Sequence, residues 1–455
     1  MTTQHKDQDC LPRSSSKQHN KPCTEAEVGT QKTTRRYIRG SHPARVTRIS
    51  VESSDEGGEK FSKPRIKQGV RISKASSDES TSVVVASALI AISINYPGAR
   101  AILSKLDGEH TASDISSKID VSLQNVESVI KQLEMAQLLD MKTSKLKLHN
   151  RFQSPIAERA ANTEDQSNDA SFKQLQTRMK SELALATWIS GVIDGGVELL
   201  SSRQNFGVEI YGENRLATMI YTALLASGVT NTKFSITTSR DESFIGDRDL
   251  GTGMLRISDF GLNFRTRTEE LSREWSLFPT ASKNVKGTVS SPIPERNLRV
   301  IVGEHPEKLT DQLMRDGLDH LFVGQTLGGA TTLGPLVFPR VSPCSNCLSL
   351  SKRDQHGVGE LVANNVEGVE MPIAPSFHIA GLAVQAILQL IDTGKTDLLG
   401  AQICCDYTTP IPQQLMKIAR HPLCGCQWGS QEISLKSTGN QQHFSALKYA
   451  ETILF

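Results

Sequence analysis

Four cysteines near the C-terminal end constrain this chain more than any other feature. Cys344 and Cys347 stand in the stretch Ser342-Pro343-Cys344-Ser345-Asn346-Cys347-Leu348, and Cys424 and Cys426 in His421-Pro422-Leu423-Cys424-Gly425-Cys426. Two close thiol pairs separated by a helix-length segment can give four thiolates to one tetrahedral zinc ion. The first pair has C-x-x-C knuckle spacing. The second is C-x-C, and Gly425 lets the backbone turn sharply between its thiols. Such a site has no open position for water, so it reads as structural zinc that pins two distant segments together. Packed or unpaired thiols are the other reading of the same residues. A redox C-x-x-C lacks its thioredoxin-like context.

The length of 455 residues allows two or three domains, and 37% hydrophobic residues can fill a sizeable core. A net charge of +2 demands neither nucleic acid nor membrane as partner, and 5% aromatics argues against a base-stacking surface. Eight cysteines in this length make no disulfide scaffold; their clustering fits metal ligation in a reducing compartment. Cys10 and Cys23 lie in a polar tail, and Cys404 and Cys405 read as packing residues. No uninterrupted apolar run reaches about 18 residues, so no membrane span is expected. Met1–Asn20 lacks a signal-peptide core. The expected location is the cytoplasm.

Residues 1–62 are rich in Ser, Thr, Gln, Lys and Arg and read as a disordered basic tail, because so few apolar residues cannot offset chain entropy. From Met1 to Arg48 there are 10 Lys/Arg against 4 Asp/Glu. Residues 63–150 form the next unit. Strand-like pieces at Val70–Ser73 and Ser82–Ala86 precede three helical patterns. The first is Ala99–Leu106. The second starts at Thr111 as N-cap. The third opens at Ser122, with Val126, Val129, Ile130 and Leu133 at helical spacing. Leu138–Met141 and Leu146–Leu148 then suggest a short hairpin. Three helices followed by a hairpin is winged-helix order. Residues 151–204 read as a linker followed by one helix, Leu175–Leu200.

A second domain is expected over 205–430, with a separate segment at 431–455. Phe206–Gly212 reads as a strand, Asn214–Ser227 as a helix closed by Gly228, and Phe234–Thr238 as another strand. This is a βαβ unit, which crosses over right-handedly to a parallel strand. Leu298–Val302 and Leu321–Val323 flank a helix over Pro306–Arg315. Leu333–Phe338 leads into the first cysteine pair, and Ser376–Ile391 is a strongly apolar helix ended by Gly394. The fold class is therefore α/β: a winged-helix module, then a Rossmann-like parallel sheet with a structural zinc site.

A dinucleotide or ATP loop after the first strand would read G-x-G-x-x-G. Here it reads Gly212-Glu213-Asn214-Arg215-Leu216-Ala217. The first glycine is present, Asn214 replaces the second, and Ala217 is tolerated at the third. The Asn214 side chain and the Glu213 charge oppose a close phosphate, which Arg215 offsets only in part. Asp241 stands too late for the usual ribose contact, and Asp247–Gly251 reads as a solvated acidic turn. His421 is a candidate for support of the zinc site or for capping a helix end; His305 is a candidate ligand or base.

The βαβ unit with its degenerate loop, Gly334-Pro335-Leu336-Val337 before Pro343-Cys344-x-x-Cys347, the apolar helix, and His421-Pro422-x-Cys424-Gly425-Cys426 together resemble the ThiF/MoeB superfamily, relatives of ubiquitin-activating enzymes. The chain looks most like the cyclodehydratase-domain proteins of thiazole/oxazole-modified peptide (bacteriocin) biosynthesis. Pro64-Arg65-Ile66-Lys67-x-Gly69-Val70, Leu106-Asp107-Gly108 and Leu133-x4-Leu138-Leu139 are similar to the winged-helix module with which those proteins recognise a precursor's leader. The resemblance spans about 63–430. In adenylating members the glycine loop holds ATP and an Asp after a later strand positions magnesium. Here Val302-Gly303-Glu304-His305 offers only Glu304, so both departures point to lost ATP use.

The resemblance implies a scaffold that presents a leader peptide to a YcaO-type cyclodehydratase, with a homodimer left open. The leader would add as a strand along Val83–Ala86 or a neighbouring strand, with its side chains against the third helix. Val83, Val85, Asn125, Val129 and Gln132 are the candidate peptide-binding residues. Two alternatives stand beside this: an adenylyltransferase activating a C-terminal carboxylate with ATP and magnesium, and a winged-helix DNA-binding regulator. The second is opposed by charge, since Lys118 and Lys131 face Asp114, Asp120, Glu127, Glu134 and Asp140, and an acidic surface repels phosphate.

Overall fold

A computed structural model describes residues 62–74, 82–142, 144, 146, 148, 175–235, 243–251, 254–275, 296–303, 307–327, 330–356, 371–408 and 413–427. The expectations for the basic tail before residue 62, the linker at 151–172, Cys10, Cys23, Asp241, Glu304, His305 and segment 431–455 lie outside these residues.

The N-terminal module is built on alternation and capping. Strands β1 (Arg65–Ile66), β2 (Arg71–Lys74), β3 (Ser82–Ala86) and β4 (Ala91–Asn95) precede helices α1 (Ala99–Leu103), α2 (Ala112–Ile119) and α3 (Leu123–Met135). Thr111 caps α2 through a reciprocal box: its hydroxyl accepts from the Asp114 N–H while the Asp114 carboxylate accepts from the Thr111 N–H. On α3, Val126, Val129, Ile130 and Leu133 form the buried stripe the spacing predicts. They pack against Val83, Val85, Ile94, Ile102 and Ile115 in one core. β5 (Leu139–Asp140) does not turn back as a hairpin; it pairs antiparallel with β1. Leu146 and Leu148 instead join a cluster with Leu175, Met179 and Leu200. That pairing draws the ends of the module together.

The expected long helix over Leu175–Leu200 is interrupted. Its described parts include α4 (Lys180–Ala186) and α5 (Val197–Ser202), joined by an elbow. Gly191, Gly195 and Gly196 take left-handed backbone conformations there. A Cβ on Gly196 would sit 2.5 Å from the Ala186 Cβ, so the elbow closes only because that residue is glycine.

The second domain is a seven-stranded sheet in the order β12-β11-β10-β9-β8-β6-β7. Its strands are β6 (Phe206–Tyr211), β7 (Thr232–Ser235), β8 (Arg296–Val302), β9 (His320–Leu327), β10 (Ala330–Val337), β11 (Ala401–Asp406) and β12 (Gln413–Lys417). β7, β6, β8 and β9 run parallel, as the βαβ pattern predicts. β10, β11 and β12 are antiparallel additions, so the sheet is mixed rather than wholly parallel. The connection from Leu327 to Ala330 is too short for a crossover helix.

Helices α6 (Arg215–Ala226) and α10 (Ile373–Thr393) cover one face of this sheet, and α7 (Phe264–Glu274) flanks α6. α8 (Glu307–Arg315) and α9 (Ser345–His356) lie on the other, over Ile301, Phe322 and Val337. α10 is long and apolar enough by composition to cross a membrane. Its inward residues Ile379, Ala383, Val384, Ile387 and Leu390 are buried in the same core as Val208, Ile210, Val300 and Val323. Arg203, 1% exposed, ties the elbow segment to this domain: its guanidinium pairs with Asp392 on α10 at 2.6 Å and Glu182 on α4 at 2.9 Å.

Candidate functional site

The cysteines meet. β10 delivers the chain through Ser342, whose hydroxyl accepts from the Phe338 N–H at 2.9 Å, into the start of α9, where Cys344 and Cys347 are buried. The loop after Ile418 returns Cys424 and Cys426. Sulfur–sulfur distances are 3.9 Å for Cys344–Cys347, 3.5 Å for Cys344–Cys424 and 3.5 Å for Cys347–Cys426, and all four sulfurs lie within 4.8 Å of one another. A tetrahedral ion with metal–sulfur bonds of about 2.3 Å needs sulfur–sulfur edges of about 3.8 Å. The donor set therefore suits a tetrahedral metal ion that accepts four thiolates.

The surroundings hold this geometry. His421 accepts from the Leu423 N–H at Nδ1 (3.2 Å), so its Nε2 carries the proton and donates to Asp354 at 2.8 Å. Asp354 stands two turns after Cys347 on the same helix, so the imidazole staples the second cysteine loop to α9. The bond from His421 holds the Asp354 carboxyl below the usual carboxylate range. Asn346 reaches the Cys424 sulfur at 3.6 Å. Burial pushes the Cys344 thiol up to about 11, the cost a bound dication would offset. Burial also opposes the Cys347 thiolate, but backbone N–H groups of His421 and Cys344 outweigh it and lower that thiol. Asp354 lies outside the cysteine motif and carries no signal in the sequence; Asn346 stands inside it, but its reach to the Cys424 sulfur depends on the fold.

The Gly212–Ala217 loop follows β6 where strand order reverses, beside the carboxyl end of β8, the place where open α/β sheets commonly bind ligands. Gly212 has φ +141°, and a Cβ there would lie 2.7 Å from the Val302 carbonyl oxygen, so strand approach alone accounts for this glycine. Asn214 is the N-cap of α6: its side chain accepts from the Ala217 N–H at 2.9 Å and donates to the Val302 carbonyl at 3.4 Å. It thus satisfies a helix-end donor that a phosphate would use. Arg215 turns inward, 9% exposed, with its guanidinium on the Met371 carbonyl. Asp249 in the acidic turn is not freely solvated: it accepts from the Gly246 N–H at 3.0 Å, and burial raises its carboxyl.

The peptide-recognition residues separate into two groups. Val83, Val85 and Val129 are core residues at 7%, 0% and 2% exposure. β3 is also the middle strand of β2-β3-β4 with both edges paired, so the expected edge at Val83–Ala86 is unavailable; among the described residues the outer edges of β2 and β4 pair with no further strand. Asn125 and Gln132 lie on the outer side of α3. Asn125 donates to the Tyr96 hydroxyl at 3.1 Å, joining α3 to the end of β4, and Gln132 reaches Ser128 at 3.4 Å. The bond from the Ser87 N–H to the Ile90 carbonyl sets the phase of the β3–β4 ladder. By alternation, Ile92 and Ile94 point their N–H groups at β3, and Ser93 and Asn95 point theirs at the outer edge.

No protein-family model and no curated protein matches the sequence. Among solved structures the chain is similar to MccB of E. coli. With AMPCPP and MccA the TM-score is 0.51 at 12% identity, covering 81% of this chain and 99% of that one. With ATP the values are 0.52, 11%, 81% and 99%. The microcin C7 biosynthetic enzyme MccB in complex with N-formylated MccA gives 0.50, 14%, 80% and 99%. At these identities the likeness is one of fold alone: the chain shares the fold of MccB, consistent with the resemblance its motifs carry.

Proposed function

We propose that this protein is a non-adenylating ThiF-like scaffold. It binds the leader of a ribosomal precursor peptide through a winged-helix N-terminal module and presents the peptide to a YcaO-type, ATP-dependent cyclodehydratase for azoline formation. Asn214 carries the non-adenylating half of this reading: the chain's own side chain takes the helix-end donor and the inter-strand space that a nucleotide phosphate would need. The similar MccB structures with MccA bound support a peptide as ligand on this fold.

The leader adds as a strand to β4, whose outward Ser93 and Asn95 N–H groups face no other strand among the described residues. α3 supplies the neighbouring wall through Asn125, Ser128 and Gln132. The ion held by Cys344, Cys347, Cys424 and Cys426 is zinc, bound for structure because four thiolates leave no position for water or substrate.

Ser93→Pro tests the peptide half. It removes one outward N–H and spares the ladder to β3. The assay is fluorescence anisotropy with labelled synthetic leaders of short Cys/Ser/Thr-rich peptides, sought among the products of neighbouring genes. Binding by the parent chain and its loss in Ser93→Pro, with an unchanged far-UV spectrum, is the expected result. Equal binding by both chains excludes strand addition at β4.

A further inference from the structure

Lys67 is buried at 4% exposure, in the connection between β1 and β2. Its backbone belongs to the N-terminal module, where its N–H donates to the Leu138 carbonyl at 3.0 Å. Its side chain leaves that module and ends in the elbow between α4 and α5. There Nζ donates to the carbonyls of Thr187 at 2.6 Å and Val192 at 3.0 Å. Thr187 is the C-cap of α4, where the last carbonyls lack partners within the helix and the helix dipole favours a cation. The Trp188 ring centroid is 5.8 Å from Nζ.

Asp140, buried behind the ammonium, accepts from the Thr187 hydroxyl at 2.8 Å and from Arg65 at 3.3 Å. Burial lowers the Lys67 pKa, and the Asp140 charge opposes that shift. Two further bonds cross the same joint, from the N–H groups of Met141 and Lys142 to the Ile193 carbonyl at 2.7 and 3.0 Å. On its far side the elbow segment is fixed to the sheet domain through Arg203, Glu182 and Asp392.

We propose that Lys67 is a latch: a cation from the N-terminal module caps the α4–α5 elbow and holds the module in one orientation, so that its release lets the module swing as a folded unit. Where the module binds a leader as proposed above, the latch sets where the captured peptide is delivered. The device itself rests on contacts within the chain, and its test reads motion rather than peptide binding.

The experiment is hydrogen exchange with mass spectrometry on the full chain, parent against Lys67→Met, which keeps most of the apolar stem and removes the ammonium group. Peptides covering Met141–Lys142 and the elbow 187–196 should exchange at least about tenfold faster, while those covering β3 and α3 keep their protection. Parent-like rates at the joint overturn the latch. So does an equal loss of protection through β3 and α3, which would make Lys67 a support of the module's own fold. Should Lys67→Met be insoluble, Thr187→Val removes the bond to Asp140 and should accelerate the same peptides by a smaller factor. Unchanged rates in that variant also overturn the proposal.

Discussion

Replacing Cys347 by serine removes one of four thiolates from the proposed zinc site, and the structure gives the size of the effect. The metal would close the chain between Cys344 and Cys424, which are 80 residues apart. Constraining a loop of that length in the unfolded chain is worth about 4.5 kcal/mol by the chain-entropy relation for cross-links. Spread over a domain of this size, the loss lowers the melting temperature by about 10 °C. Elemental analysis of the parent should find one zinc per chain, and Cys347→Ser should lose it. Calorimetry should then show the lowered melting temperature, with the same shift in the parent after exhaustive chelation. Retained zinc in Cys347→Ser, or a parent that purifies without metal and melts no lower with a chelator, would refute the reasoning. The first result would mean that the ion sits elsewhere. The second would mean that the four thiols are packing residues.

Other outcomes follow from single contacts. Asn214→Ala should cost about 1 kcal/mol in urea unfolding through loss of the α6 cap; no change would show that the side chain is not engaged. Gly196→Ala must strain a left-handed position and drive a methyl to 2.5 Å from the Ala186 Cβ, so it should destabilise by more than about 1 kcal/mol in the same assay. Arg203→Met strands Asp392, 5% exposed, beside Glu182 and should cost about 3–5 kcal/mol; a neutral result would mean that water already reaches the pair.

Sequence reasoning found the cysteine site because chelation depends on residue type and spacing, which survive without a structure. It found α2, α3 and α6 for a similar reason: Thr111 is a cap, the apolar residues of α3 and α6 have helical period, and Gly228 closes α6. The continuous helix over Leu175–Leu200 failed because Leu183, Leu185, Trp188, Ile189 and Val192 keep a helical rhythm through the turn. Gly191, Gly195 and Gly196 were the available signal, and close packing against Ala186 was not. β12 carries no alternation because it is an edge strand exposed along its length. The assignment of Val83 and Val85 to a peptide edge read the period of β3 correctly. It could not tell which strand would lie in the middle, because pairing is non-local. In the sequence Lys67 is only one residue of the stretch Pro64–Val70; its role depends on carbonyls 120 and 125 residues away.

Titration calorimetry of magnesium-ATP into the zinc-replete full chain tests most directly whether this fold serves here without nucleotide chemistry. The Asn214 bonds to the Ala217 N–H and the Val302 carbonyl predict no detectable binding at millimolar ATP. Micromolar binding would contradict the account and make activation of a C-terminal carboxylate by adenylation the leading function.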